Sequence, residues 1–247
     1  MCTDVCDNLG ATQRVPRIGS YFGGSSSTDP ETTISLRPIV FVHGTRTSSA
    51  IWDDQVGALH RLGHPTLALD LPGHGTRAHE RFSLDGALGA IDDAVASFAV
   101  APLLVGLSLG GYTSLAYAGR HPSRIAGVVL AGCSTELRGK PLNAYGHTSR
   151  LVVGLARAGG GTWHVVTDML ASLAGYSPLA DLRRLRLPVW LVNGSRDPLR
   201  LDERRYVAAR PEARLTVVPG AGHDVNTHAP VAFNRVLLDA LHELRAA

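Results

Sequence analysis

Short apolar runs alternate with longer amphipathic stretches along most of this chain. Each run holds three to six residues, and a glycine follows it within four positions. Runs this short and this apolar are typical of parallel strands that are buried on both faces. The predicted strands are Ile39–Val42, Thr66–Leu69, Leu103–Val105, Ile125–Leu130, Val189–Val192 and Leu215–Val218.

The stretches between these runs repeat their apolar residues with helical spacing. Ser83 predicts an N-cap, and the apolar residues of Leu84–Val95 fall on one face of a helix. This alternation predicts an α/β fold with a doubly wound, mostly parallel sheet, which places its ligand site at the carboxyl ends of the strands. The other predicted helices are Ile51–Leu62, Tyr112–Arg120, Leu151–Ala158, Trp163–Leu173 and Val231–Leu244.

The chain divides into three kinds of segment. Residues 1–31 lack a clear pattern and contain the run Gly23–Ser27, so we expect a flexible N-terminal segment. The stretches Val15–Phe22 and Thr32–Leu36 have the composition of short edge strands. Residues 134–185 interrupt the alternation without a strand and leave the sheet from its predicted active edge. We therefore expect a core of residues 32–133 and 186–247 with a helical cap of residues 134–185; a decorative helical excursion is the alternative.

Composition and charge exclude several classes of protein. With 45% hydrophobic and 18% charged residues among 247, the chain is not of the disordered class. The net charge of +3 comes from scattered arginines, so we expect neither a nucleic-acid nor a membrane partner. Two arginine clusters, Arg183–Arg186 and Arg204–Arg205, are interpreted as solvated helix ends or loops, with a binding patch as the alternative.

Cysteine and histidine usage indicate the compartment and the absence of a metal. The three cysteines give an odd count with no disulfide framework, so we expect a cytoplasmic protein. The N-terminus lacks the apolar region of a signal peptide, and no apolar stretch approaches the length of a membrane span. The 11 histidines form no zinc-ligand pattern, so no metal is expected.

A G-x-S-x-G pentapeptide, Gly106–Gly110, lies between the third predicted strand and a predicted helix. The two glycines allow the strand and the helix to pass close together around a tight turn, which projects the Ser108 hydroxyl from the backbone. The pentapeptide alone also occurs by chance, and its position between strand and helix makes it specific. A serine hydroxyl is a weak nucleophile at neutral pH, so this site requires a base.

Two later loops carry an acid and a histidine at the same predicted edge. Asp197 follows the fifth strand and His223 follows the sixth, which is the order of a serine triad in this architecture. His223 would accept the Ser108 proton, while Asp197 would orient the imidazole and stabilise its charged form. The alternatives are a helix-capping role for Asp197 and a solvent-facing loop position for His223. Asp202 and Asp224 are rival acids.

Two backbone N–H groups are candidates for an oxyanion hole. Leu109 directly follows the nucleophile at a helix N-terminus, and Thr45 follows a His-Gly pair after the first predicted strand. Each donor of this kind contributes about 3–4 kcal/mol at the transition state. The turn Asp70–Gly75 is interpreted as structural, with a catalytic role for Asp70 or His74 as the alternative.

Together these motifs resemble those of the α/β-hydrolase family. The resemblance covers about Pro38 to the C-terminus and implies a Ser–His–Asp triad, no cofactor, and a small helical cap inserted after the sixth family strand. A serine at the elbow differs from the aspartate of the dehalogenase and epoxide-hydrolase branches. The matching residues are His43-Gly44, Asp70–Gly75, Gly106–Gly111, Gly194–Asp197 and Gly222-His223.

These expectations lead to an enzyme that acts on a small molecule. We expect cleavage of a small, mainly apolar ester or lactone through an acyl-Ser108 intermediate. One alternative is a natural-product tailoring enzyme, a C–C hydrolase, lyase or cyclase, that uses the same triad; another is a ligand receptor with little turnover. The candidate substrate contacts are Arg46, Trp163, Met169 and Leu173. The alternative for Arg46 is a surface position, and the alternative for the other three is packing in the core.

Overall fold

The computed structural model describes residues 36–139 and 163–246. The predicted flexible segment 1–31, the Val15–Phe22 strand, the Leu151–Ala158 helix and all of Thr32–Leu36 except Leu36 lie outside the described residues. No helix within the two described ranges is both long enough and apolar enough to cross a membrane.

Six parallel strands form the sheet at the centre of the described fold. Their order is β2-β1-β3-β4-β5-β6, so the chain starts inside the sheet, moves to one edge and then crosses to the other. The predicted doubly wound parallel sheet is confirmed, with strand bounds within two residues of those predicted. The strands are β1 (Ile39–Val42), β2 (Thr66–Leu69), β3 (Leu103–Leu107), β4 (Gly127–Ala131), β5 (Val189–Gly194) and β6 (Arg214–Val218).

Helices cover both faces of this sheet. One apolar cluster joins sheet residues to α2, α3 and α5, and a second joins sheet residues to α1 and α8. Every residue of β1, β3, β4 and β5 is therefore buried, which explains why their apolar runs are continuous. The helices are α1 (Asp53–Arg61), α2 (Leu84–Ala96), α3 (Leu109–Arg120), α4 (Trp163–Leu173), α5 (Pro178–Arg184), α6 (Glu203–Ala209), α7 (Val225–His228) and α8 (Pro230–Ala246).

Helix starts follow local capping chemistry. The Ser83 side chain accepts the N–H of Gly86 at 3.0 Å, which confirms the predicted N-cap of α2. Helix α5 has no counterpart among the predicted helices. Its Ser177 side chain accepts the N–H of Ala180 at 3.3 Å, and Pro178 occupies the first helical position, so the same capping signal was present in the sequence.

The segment predicted as a cap, residues 134–185, is described at 134–139 and 163–185. Leu179, Leu182 and Leu185 in and after α5 are buried in the cluster that contains α2 and α3. This part of the segment therefore packs as core. Helix α4 reaches the same cluster with its last residue, Leu173, and contacts the loop after β1 through Met169. The assignment of the whole of 134–185 to one cap stays a prediction.

Candidate active site

The turn between β3 and α3 holds Ser108 in a strained backbone conformation. Its φ of 54° and ψ of −115° lie where non-glycine residues are rare. A Cβ at Gly106 would overlap the carbonyl oxygen of Gly110, and a Cβ at Gly110 would overlap that of Val42. The close approach of strand and helix therefore requires both glycines of the pentapeptide.

Asp197 and His223 form a hydrogen-bonded pair at the same edge of the sheet. His223 Nδ1 lies 3.1 Å from each carboxylate oxygen of Asp197. Asp197 is only 4% exposed, and its Oδ1 also accepts the N–H of Leu199 at 2.8 Å. This pairing holds the imidazole proton on Nδ1 and leaves Nε2 as the nitrogen that can act as a base.

The pair changes the proton affinity of the histidine. Burial alone would lower the pKa of His223, but the hydrogen bond to Asp197 and the charge of that carboxylate outweigh it. The pKa of His223 therefore lies above its ordinary value of 6.5. Burial, with a smaller effect of the Asp197 charge, raises the pKa of the nearby Cys133 thiol, which stays neutral.

Ser108 and His223 lie on either side of the loop after β4. The Ser108 N–H donates to the carbonyl oxygen of Ala131 at 2.8 Å, and a Cβ at the next residue, Gly132, would lie 3.2 Å from the His223 imidazole. Gly132 is not among the predicted site residues; the signal available in the sequence was a glycine two positions after a predicted strand. Within the described residues no hydrogen bond joins the Ser108 hydroxyl to His223, and such bonds often form only when substrate is bound.

The two predicted oxyanion donors lie next to Ser108. Leu109 begins α3, and Thr45 lies in a turn after β1. Gly44, which precedes Thr45, comes close to the serine, because a Cβ on this glycine would lie 3.3 Å from Ser108 Cβ. Across ranges 36–139 and 163–246, no backbone acceptor takes the N–H of Thr45 or Leu109. Donation from these two groups to a ligand stays a prediction.

His43 and Asp70 connect the turns after β1 and β2. His43 is fully buried, donates from Nδ1 to the carbonyl oxygen of the next residue at 2.8 Å, and accepts the N–H of Leu71 at 3.0 Å. Burial lowers the pKa of His43 to about 4, so it is neutral at pH 7. Asp70 accepts the N–H of Ser49 and the N–H and hydroxyl of Thr76 at 2.7–2.9 Å. These contacts support the structural interpretation of Asp70, and they indicate a structural role for His43 as well.

Replacing Asp70 with alanine is expected to destabilise the fold by about 1–3 kcal/mol at pH 7, because donors in two turns lose their acceptor. Burial favours the protonated carboxyl, but the hydrogen bonds from Ser49 and Thr76 outweigh it and lower the pKa of Asp70 from 3.8 to about 2. Its stabilising effect is therefore present above pH 3.8 and is lost as the pH falls toward 2. In denaturant unfolding, the difference between wild type and variant should shrink from pH 7 to pH 3; an equal difference at both would contradict this.

Helix α4 packs against the loops that surround the elbow. The Thr45 hydroxyl donates to Met169 Sδ at 2.9 Å, which joins the predicted oxyanion loop to α4. Arg81 lies in the loop before α2, and its guanidinium pairs with both carboxylate oxygens of Asp168, which is adjacent to Met169 on α4. This ion pair was not predicted, because nothing local in the sequence relates two residues that lie 87 positions apart.

The four predicted substrate contacts occupy different environments. Met169 reaches the oxyanion loop, as described above. Leu173 is 4% exposed and belongs to an apolar cluster of the core. Arg46 is exposed and has a φ of 63°, and Trp163 is the first residue of α4. Contact between these residues and a substrate stays a prediction.

Of the two rival acids, Asp202 contacts other groups and Asp224 has only a small effect on His223. Asp202 accepts the N–H of Glu136 at 2.9 Å and pairs with Arg205. Asp224 contributes the smallest of the effects on the pKa of His223. Within the described part of the chain, no three His, Cys, Asp or Glu side chains are grouped so that they could hold a metal ion. The absence of a metal and of a cofactor stays a prediction.

Known proteins that resemble this chain over most of its length include a synthase and an esterase. The 2-succinyl-6-hydroxy-2,4-cyclohexadiene-1-carboxylate synthase of Enterobacter sp. (strain 638) is 28% identical over 240 residues, which cover 82% of this chain and 91% of that protein. The pimeloyl-(acyl-carrier protein) methyl ester esterase of Neisseria meningitidis serogroup A is 26% identical over 231 residues, which cover 76% of this chain and 72% of that protein.

Fold and family comparisons agree with each other. The crystal structure of NosK from Streptomyces actuosus superposes on this fold with a TM-score of 0.72 and 23% sequence identity. The match covers 85% of this chain and 99% of the NosK chain. This likeness shows the fold. The sequence profile of the alpha/beta hydrolase family matches residues 39–236, which span the sheet, the elbow and the Asp197–His223 pair. The chain belongs to the alpha/beta hydrolase family.

Proposed function

We propose that this chain is a serine hydrolase that cleaves a small, mainly apolar ester or lactone through an acyl-Ser108 intermediate. The observation that carries the proposal is the hydrogen bond between His223 and the buried Asp197, at the sheet edge where the elbow presents Ser108. The methyl ester esterase among the relatives supports an ester as the substrate.

The proposed reaction has two stages, acylation of Ser108 and hydrolysis of the acyl-enzyme, and His223 transfers protons in both. His223 Nε2 takes the hydroxyl proton of Ser108 as its Oγ attacks the ester carbonyl carbon. The N–H groups of Thr45 and Leu109 donate to the carbonyl oxygen as negative charge develops on it. His223 then gives the proton to the leaving alcohol, and acyl-Ser108 remains. His223 next deprotonates a water molecule, which hydrolyses this ester and restores the serine.

The approach of α4 to the oxyanion loop supports a small substrate. The thioether of Met169 lies within hydrogen-bond distance of the Thr45 hydroxyl, so a helix closes one side of the space next to the proposed oxyanion hole. The ion pair between Arg81 and Asp168 holds this helix against the loop before α2. A flexible, polarisable side chain such as methionine adapts to apolar groups of different shape.

A panel of substrates tests the proposal. Initial rates are measured on 4-nitrophenyl esters from acetate to palmitate, on simple lactones and on a peptide. We expect the highest kcat/KM on short acyl esters or lactones. A fluorophosphonate probe should label Ser108, as shown by peptide mass spectrometry. Preference for the long-chain ester or the peptide would contradict the proposed substrate class.

A lyase or cyclase is the second candidate, because one relative of this chain is a synthase by name. The same panel separates the two. Fluorophosphonate labelling of Ser108 without turnover of any ester would favour the lyase or cyclase. Failure of both labelling and turnover would favour a ligand receptor.

Activity is expected to rise with pH through an apparent pKa above 6.5. His223 must be neutral to accept the Ser108 proton, and its pairing with Asp197 keeps it protonated to a higher pH than an ordinary histidine. Values of kcat/KM for one neutral ester, measured from pH 5 to 9, check this. A flat profile between pH 5 and 8 would exclude His223 as the base.

A further inference from the structure

Positive charge is concentrated in one part of the chain. Residues 181–214 contain nine arginines and five acidic residues, an excess of four positive charges where the whole chain has +3. Four of those acids pair with an arginine a few positions away in the sequence, and the fifth, Asp197, pairs with His223. The arginine pairs are Arg184–Asp181, Arg200–Glu203, Arg205–Asp202 and Arg210–Glu212.

Of the nine arginines, Arg183 belongs to none of these pairs, and neither does Arg138, which lies outside the segment. Arg183 on α5 and Arg138, in the loop after β4, are exposed, and neither forms an ion pair within the described ranges. With Arg205 of α6, they line one pocket of about 370 Å³. Three segments that are distant in sequence thus bring three guanidinium groups to one concavity, which the linear clusters alone did not indicate.

Within the described residues, the one carboxylate that lines this pocket is already used by the protein. Glu136 is 6% exposed, and its oxygens accept the N–H of Arg138 at 3.0 Å, the hydroxyl of Ser177 at 3.1 Å and the N–H of Leu179 at 3.2 Å. Its charge is therefore stabilised by internal donors. Arg205 donates one N–H to Asp202 at 2.9 Å and retains others, since a guanidinium has five.

We propose that Arg138, Arg183 and Arg205 form a binding site for a phosphate group. A guanidinium can donate two parallel N–H bonds to the oxygens of an anion. A phosphate has enough oxygens to accept bonds from three guanidinium groups, whereas a carboxylate has only two oxygens. The pocket adjoins the segment that follows Asp197, because Glu136, which lines it, donates its N–H to the carboxylate of Asp202 at 2.9 Å. The phosphate is either inorganic phosphate or a monoester carried on a larger molecule.

Calorimetric titration of inorganic phosphate, at constant ionic strength, tests the site independently of catalysis. Wild-type protein should bind one phosphate saturably. Arg183→Gln and Arg138→Gln should each weaken binding by about tenfold or more, since each removes a charged hydrogen-bond pair. Arg61→Gln, an exposed position on α1, is the matched control and should bind as wild type does. No saturable binding, or equal weakening in the control, would overturn the proposal.

Thermal unfolding checks that each variant is folded, which is expected because the substituted side chains are exposed. Titrations with two further ligands then identify the source of the phosphate. Phenyl phosphate that binds more tightly than inorganic phosphate, with the same dependence on Arg183, would indicate a monoester on a larger molecule. Equal affinity would indicate free phosphate. Acetate that binds as tightly, with the same dependence, would overturn the assignment to phosphate.

Discussion

Replacing Ser108 with alanine is expected to lower kcat by about 10⁴–10⁶-fold while the protein stays folded. The proposed reaction loses the atom that forms the acyl bond, whereas His223 and Asp197 keep their hydrogen bond. Alanine at a φ of 54° carries the same backbone strain as serine, so the free energy of unfolding should change little. Initial rates of wild type and variant on the preferred ester check the loss of kcat, and thermal unfolding of the two proteins checks that stability is unchanged.

Ser114→Ala is the matched control for this variant. Ser114 lies on the same helix, α3, and its buried hydroxyl has no hydrogen-bond partner within the described residues. Loss of this hydroxyl should leave both kcat and stability close to wild type. A Ser108→Ala protein that retained more than about a tenth of the wild-type rate would show that Ser108 is not the nucleophile.

The strands and the loops at their carboxyl ends could be predicted because local sequence determines them. A parallel strand covered on both faces needs a short, continuous apolar run, and β1 and β2 begin and end at the predicted residues. The chemistry then follows from position. Once Ser108, Asp197 and His223 are assigned to the ends of the third, fifth and sixth strands, parallel pairing brings their loops to one edge of the sheet.

Features that depend on distant residues could not be predicted in this way. The seven residues of α5 are too few for a helical period to stand out, although its capping signal was present. The hydrogen bond from Thr45 to Met169 and the ion pair from Arg81 to Asp168 join residues 124 and 87 positions apart. No local pattern encodes such contacts, because they exist only after α4 has packed on the loops.

The arginines illustrate the same limit. Arg183 and Arg205 belong to two separate clusters in the sequence, and each cluster alone is well explained by solvent exposure. Their convergence with Arg138 on one pocket follows from the packing of α5 beside α6. The charge pattern along the chain therefore favours solvated positions and leaves a binding patch as the alternative, whereas the folded arrangement supports a site.

Replacing Asp197 with asparagine is expected to reduce kcat by about 10³–10⁴-fold. The asparagine amide can donate to Nδ1 of His223, which favours the tautomer with its proton on Nε2, and that nitrogen then cannot accept the proton of Ser108. The variant also loses the charge that raises the pKa of His223, so its residual activity should begin at lower pH than that of wild type. Profiles of kcat/KM against pH for both proteins check the two effects.

Asp202→Asn is the matched control, because it removes a carboxylate from the same loop region without touching the imidazole. Its oxygens accept the N–H of Glu136 and pair with Arg205, so we expect nearly wild-type kcat and an unshifted pH profile. A large loss in Asp202→Asn, together with an active Asp197→Asn, would make the assignment of the acid wrong. The geometry favours Asp197, since both of its oxygens lie 3.1 Å from His223 Nδ1 and it is 4% exposed. A buried carboxylate in this position acts on the histidine with little screening by water.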